Sequence, residues 1–248
     1  MTWTAIVLTI FPEMFPGPLG VSLVGKALEK KLWSLQVRDI SDHGIGKHRT
    51  VDDTPAGGGP GMVMQIEPLV AAIRAVRGED PQVRILLLSP QGPLFTQDRA
   101  RELAALPHLL LICGHYEGVD ERLKYYIDGM LSIGDYILTG GEIPALAVLD
   151  AVTRLLPGVL GGEGAAADDS FQTGLLEYPH YTRPRDFEGH RVPQVLLEGD
   201  HRRIREWRRQ QALLRTRACR PDLLAKAPLA PEDRKFIETL AETPEEDR

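Results

Sequence analysis

The stretch VRILLLSPQGPLFTQDRARELAALPHLLLICGHYEG, residues 83–118, decides the fold class. It holds VRILLLS and LLLICG, two continuous apolar runs bounded by Pro and Gly. Such runs read as strands buried on both faces, because a half-exposed strand would alternate. Between them, QDRARELAAL is amphipathic at helical spacing. Strand, helix, strand is the rhythm of a parallel sheet covered by helices, so the expected class is α/β. Working outward, TAIVLTIF near the start is a further β-branched run, followed by a helix expected around residues 21–31. Downstream, SIGDYILTGGEIPALAVLD, residues 132–150, reads as a strand, a double-glycine turn and a helix. Pro144 suits the first turn of that helix, and PGVLGG ends it.

Three loops then lie just past the carboxyl ends of apolar strands: Ser89 to Gly92, Gly114 to Gly118, and Thr139 to Glu142. Ligands of open α/β sheets bind at that edge. The ligand class follows from what the loops lack. Neither G-x-G-x-x-G nor G-x-x-x-x-G-K-[ST] occurs, which removes the main support for a dinucleotide or P-loop site. Glu117, Asp135 and Glu142 would repel a pyrophosphate. A neutral or cationic nucleoside would not be repelled. S-adenosylmethionine has that chemistry: an adenine, a ribose, a sulfonium cation and no phosphate. Backbone groups exposed by glycines can read its adenine edge.

Charge is unevenly spread. The whole chain of 248 residues carries a net charge of −6, which on average argues against a nucleic-acid partner, but local fields matter more than the average. Yet HRRIREWRRQQALLRTRACR, residues 201–220, has arginine at 202, 203, 205, 208, 209, 215, 217 and 220, with Glu206 its only acid. HYTRP, residues 180–184, adds rings and an arginine. Rings stack on unpaired bases and arginines hold phosphates, so RNA is the expected partner. KHRTVDDTPAGGGPGMVM, residues 47–64, is too polar and glycine-rich for a core element, and its basic start suits RNA phosphates. GGEGAAADDSF, residues 161–171, has no periodicity and reads as a flexible linker. It carries Asp168, Asp169 and Ser170, where an acid can swing over a bound substrate. Arg154, on the helix before it, is the natural electrostatic partner.

No apolar run is long enough to span a bilayer, and the start lacks a signal-peptide pattern. Cys113 and Cys219 lie far apart without metal-ligand spacing, and no metal site is read. A reduced cytoplasmic protein is expected, with Cys113 a buried structural thiol.

Taken together, FPEMF (11–15), HRTVDDTPAGGGPGMVM (48–64), LSPQG (88–92), CGHYEGVDER (113–122), SIGDYILTGGEIPA (132–145), PGVLG (157–161), DSF (169–171), PHYTRP (179–184) and VPQVLLEGDH (192–201) resemble the bacterial tRNA (guanine-N(1)-)-methyltransferases, the TrmD family. The resemblance covers nearly the whole chain. It implies methylation of N1 of the guanosine at position 37 of tRNA, using S-adenosylmethionine. It implies a SPOUT fold, a parallel sheet with a deep trefoil knot, which the rarity of threaded chains would otherwise argue against. A small helical carboxyl-terminal domain follows in the family. The implied organisation is a cofactor-binding domain over 1–160, a linker over 161–172 and a helical tRNA-binding domain over 173–248. A homodimer with sites at the subunit interface and assistance from magnesium are implied as well, the magnesium ligands being open.

By match, cofactor contacts fall on Leu88, Ser89, Pro90, Gln91, Gly92, Gly114, Tyr116, Glu117, Ile133, Gly134, Tyr136, Ile137, Leu138, Gly140, Gly141 and Pro144. The general base falls on Asp169 and its helper on Arg154. The chain departs from the family's usual pattern at Glu177, where Asp is frequent, and at Ala56, where an aromatic residue is frequent. Two other readings share many of these residues. One is a SPOUT enzyme acting on another RNA atom, such as a ribose 2′-hydroxyl. The other is a non-catalytic RNA-binding protein.

Overall fold

The computed structural model describes residues 2–161 and 169–241. Residues 162–168 of the expected linker, Asp168 among them, lie outside the described residues. The chain divides into two compact units, Met1–Gly162 and Glu163–Arg248.

In the first unit the elements run β1 (Trp3–Thr9), α1 (Ser22–Glu29), β2 (Trp33–Asp39), β3 (Asp52–Asp53), β4 (Val63–Met64), α2 (Ile66–Glu79), β5 (Arg84–Leu88), α3 (Gln97–Ala104), β6 (His108–Cys113), β7 (Gly129–Leu131) and α4 (Glu142–Thr153). Five strands form one sheet in the order β2-β1-β6-β5-β7. Every pairing in it is parallel. The class is therefore α/β, as residues 83–118 imply. Both faces are buried, and alternate residues serve each. Leu86, Leu88, Leu109, Leu111 and Cys113 join one core cluster with Val148 and Leu149 of α4. Ile85, Leu87, Leu110 and Ile112 join the other with Leu69 and Ile73 of α2. An apolar side chain is needed at every position, which is why these strands read as unbroken runs.

Three sequence readings need correction. Residues 132–138 form a bent loop rather than a strand. Gly134 takes a φ of 157°, and Ile137 is 80% exposed, so the apolar letters there are not core. The actual strand, β7, is the three residues just before. Second, the polar stretch 47–64 does enter the core at its edges, because Val51 and Met64 are buried and β3 pairs antiparallel with β4. Between them Gly57, Gly58 and Gly59 all have positive φ, which ties the glycine run to the turn itself. Third, β2 and α2 went unread. WSLQVRD is a half-buried edge strand with no apolar run. In α2, Pro68 lies in the first turn, where proline is tolerated.

In the second unit a short hairpin, β8 (Asp186–Phe187) and β9 (His190–Arg191), precedes α5 (His201–Cys219), α6 (Pro221–Leu224) and α7 (Pro231–Ala241). Asp200 caps α5, its carboxylate accepting from the backbone N–H of Arg202 and Arg203. Leu175, Ala212 and Leu213 form a small core with Leu224, Leu229, Phe236 and Ile237 packed against it. Arg209 of α5 forks onto Asp233 of α7 at 3.0 and 2.7 Å, joining the two helices.

Candidate active site

A cavity of about 220 Å³ opens where β5, β6 and β7 end. Its walls are the three loops that follow those strands. Fourteen of the sixteen residues matched as cofactor contacts line it: Leu88, Ser89, Pro90, Gly114, Tyr116, Glu117, Ile133, Gly134, Tyr136, Ile137, Leu138, Gly140, Gly141 and Pro144. Gln91 and Gly92 do not line it. They close the turn after β5, where the N–H of Gly92 donates to the Ser89 carbonyl at 3.1 Å. A side chain on Gly92 would meet the backbone of Met130 and Leu131, so this glycine serves strand-to-loop packing. The loop 132–141 crosses the other two: Phe95 N–H donates to the Ser132 carbonyl at 2.7 Å, and Gly141 N–H to the Gly114 carbonyl at 3.0 Å.

The acids divide into different roles. Glu117 lines the cavity, whereas Asp135 and Glu142 do not. The expectation that Glu142 faces the ligand fails, because its residue surface is only 2% exposed. Its carboxylate accepts from Thr9 Oγ1 at 2.5 Å and meets His115 Nε2 at 2.6 Å. The same Thr9 hydroxyl accepts from Phe11 N–H at 2.9 Å. The ring of Phe11 stands edge-on to His115 at 4.8 Å. A buried carboxylate is costly unless its oxygens are met, and here both are. The network joins the end of β1, the first turn of α4 and the loop after β6. His115 itself lines the cavity.

The double glycine now has a concrete cause. A Cβ on Gly140 would overlap the His115 ring and come within 2.6 Å of Glu142 Oε2. A Cβ on Gly141 would stand 2.5 Å from the Cys113 Cα. These glycines let two protein loops meet, besides exposing backbone to a ligand. Cys113 lies directly behind. Burial pushes its thiol well above the usual range, and the Glu142 charge adds to the shift. It is therefore no nucleophile at neutral pH. Tyr116, at φ 61°, has its phenol raised by burial and by the charge of Asp52. Sequence reading missed His115 and Thr9. A usable signal was Glu142 itself, a charge opening the apolar helix EIPALAVLDAV.

The two residues matched to catalysis fall in different units. Arg154 is the C-cap of α4 in the first. Asp169, in the second, lines a cavity of about 560 Å³ with His201, Arg205, Arg208 and Arg209.

A family model described as tRNA (Guanine-1)-methyltransferase TrmD matches residues 3–226. The chain belongs to the TrmD family. Among its relatives, the tRNA (guanine-N(1)-)-methyltransferase of Moorella thermoacetica is 56% identical over 95% of each chain. That of Dictyoglomus turgidum is 55% identical over 94% of this chain and 95% of its own. The Geobacter metallireducens enzyme of the same name is 50% identical over 95% and 97%.

In this TrmD-family chain the basic helix is more committed than its composition implies. Arg209 is held by Asp233, Arg203 by Glu198 at 2.6 Å, and Arg220 by Asp222 at 2.7 Å. Arg215 donates to the Glu177 carbonyl at 2.9 Å. The guanidinium of Arg208 lies 4.7 Å from the Tyr178 ring centre. These acids all lie outside residues 201–220, so the local count of one acid understates the neutralisation. Glu177, one of the two family departures, also meets His180 Nε2 at 2.6 Å. Ala56, the other, lies exposed at the start of the glycine turn.

Proposed function

We propose that the protein transfers the methyl group of S-adenosylmethionine to N1 of the guanosine at position 37 of tRNA. Family membership supports the reaction class, and its relatives carry that activity in their names. The observation that carries the cofactor reading is the composition of the cavity at the strand ends. Glycine backbone and apolar side chains line it, Glu117 is its single acid, and no Lys or Arg is present among the lining residues. A phosphate-bearing nucleotide would find no counter-charge there, whereas a sulfonium nucleoside meets a carboxylate. The residues thus fit S-adenosylmethionine. A trefoil knot is part of the proposal, supported by the loop 132–141 that ties back to Gly114 after β7. So is a cytoplasmic homodimer. Supporting the dimer, the first unit leaves Val21, Leu23, Ile137 and Ile143 at least half exposed, which is apolar surface suited to a partner.

When bound, S-adenosylmethionine supplies a methyl group on a positively charged sulfur, open to in-line displacement. Holding the guanine opposite that bond is a large part of the catalysis. Guanine N1 carries a proton at neutral pH and has no lone pair free to attack. Asp169 takes that proton as general base. Negative charge then spreads onto O6, where the Arg154 guanidinium stabilises it. An ordinary Asp, with a pKa of about 3.9, is too weak a base for this step without such a cation or desolvation of the carboxylate. Adenine, lacking both the N1 proton and O6, is rejected by the same chemistry. Among the described residues no group of three or more His, Cys, Asp or Glu could hold a metal ion. Magnesium assistance therefore rests on the family alone.

The test is methyl transfer to unmodified tRNA transcripts carrying G or A at position 37, with the product nucleoside identified by mass spectrometry. N1-methylguanosine from the G transcript alone is expected. A 2′-O-methylated product, or equal methylation of both transcripts, would overturn the assignment.

A further inference from the structure

The second unit holds another cavity, of about 350 Å³, whose chemistry differs from both described above. Tyr178, Tyr181 and Trp207 supply its rings, and Arg183, Arg185 and Arg208 its charge. The Tyr181 and Trp207 rings stand 6.3 Å apart at 53°, and Tyr181 is half exposed. No Asp or Glu lines the cavity. The nearby acids are engaged elsewhere, Asp186 with Arg191 at 2.8 Å and Glu198 with Arg203 at 2.6 Å. Three arginines without a lining acid disfavour a cationic ligand. Aromatic rings beside them, Tyr181 half exposed, favour a flat π-system that carries negative charge. A nucleotide combines the two, and the volume suits one base, since small-ligand pockets begin near 300 Å³.

We propose that this cavity takes one unpaired base of the bound RNA, stacked on Tyr181 and Trp207, with Arg183 and Arg185 meeting its flanking phosphates. The base is distinct from the one that is methylated, because Asp169, the proposed general base, does not line this cavity. Stacking tolerates any base, so the cavity adds affinity and register to the RNA rather than sequence choice. An RNA whose bases are all paired offers it nothing. The proposal rests on the reading that RNA is the substrate.

Trp207 makes it testable in the full chain. Trp3 and Trp33 are buried in the first unit at 6% and 0% exposure, so they give a steady background. Titration with a short single-stranded RNA should quench Trp207 fluorescence, while a blunt RNA duplex of equal length should not. Trp207→Phe should abolish the quench yet keep RNA affinity, since a ring remains. Tyr181→Ala should weaken tRNA binding about ten-fold, and Tyr181→Phe should restore it. S-adenosylmethionine affinity, which depends on the first unit's cavity, should be unchanged in all three variants. Equal quenching by duplex, a quench that persists in Trp207→Phe, or unaltered tRNA affinity in Tyr181→Ala would each overturn the pocket. Absence of methyl transfer to tRNA by the unaltered chain would instead overturn the substrate reading.

Discussion

The cavity at the strand ends and the face of α5 achieve specificity by opposite means. The first is made of backbone. Its shape depends on Gly140 and Gly141, which let neighbouring loops touch, and on a buried carboxylate that holds His115. The second is made of side chains, several of which are already bound to acids or carbonyls of their own unit. A backbone site is intolerant of added atoms and indifferent to salt. A side-chain surface tolerates change one residue at a time and depends on ionic strength. The difference teaches that residue type alone does not reveal a role, since Glu117 lines the cavity while Glu142 is buried behind it on His115 and Thr9.

The largest effect should come from the reacting group. Asp169→Asn is expected to lower the single-turnover methylation rate about 10²- to 10⁴-fold, the range for losing a general base. Calorimetry should show S-adenosylmethionine binding unchanged. Near-normal turnover would remove Asp169 from the base role.

Next comes the backbone site. Gly141→Ala places a methyl group against the Cys113 backbone, and overpacking of this kind costs about 1–3 kcal/mol. Cofactor affinity should fall about ten-fold or more while tRNA binding stays intact. If tRNA affinity falls equally, the two regions are not separate in function.

The arginines of α5 can be sorted by partner. Arg209→Ala leaves Asp233 with one ionic partner removed, and should destabilise the second unit by about 1–3 kcal/mol in urea unfolding. Arg205→Ala, at an exposed position, should leave stability alone. It should instead reduce the slope of log tRNA affinity against log salt by about 0.7–0.9. Identical behaviour of the two variants would refute the sorting.

The smallest effect is a pH dependence. The Arg209 guanidinium holds the Asp233 carboxyl below its usual range, burial opposing only in part. A carboxyl depressed on folding stabilises the folded form above its unfolded value of about 3.9. That contribution is lost as pH falls through the depressed value. The stability gap between the unaltered chain and Asp233→Asn should thus be constant from neutral pH down to about 4 and shrink below it. A gap that widens on acidification would reverse the sign.

Much of this was legible in the sequence wherever burial demands one residue type. The unbroken runs of β5 and β6, bounded by Pro and Gly, read as strands buried on both faces, and both lie inside the sheet. Ser89, Pro90, Gly114, Tyr116 and Glu117 line the cavity from the loops that follow those two strands. Legibility failed where a role depends on a distant partner. Glu142 meets His115 across 27 positions and Thr9 across 133, which no local pattern encodes. Residues 132–138 look like a strand because Tyr136, Ile137 and Leu138 are apolar, yet all three line the ligand cavity instead of the core. The basic helix was plain from composition, while its neutralising partners, Asp233 and Glu198, lie outside it.

The central claim is that the strand-end cavity accepts a phosphate-free, cationic nucleoside without help from RNA. The direct measurement is calorimetric titration of the full chain, free of tRNA, with S-adenosylmethionine and separately with ATP. Saturable binding of S-adenosylmethionine, lost in Gly141→Ala, with no binding of ATP, is expected. Binding of ATP as tight as that of S-adenosylmethionine, or no binding of S-adenosylmethionine until tRNA is added, would contradict it.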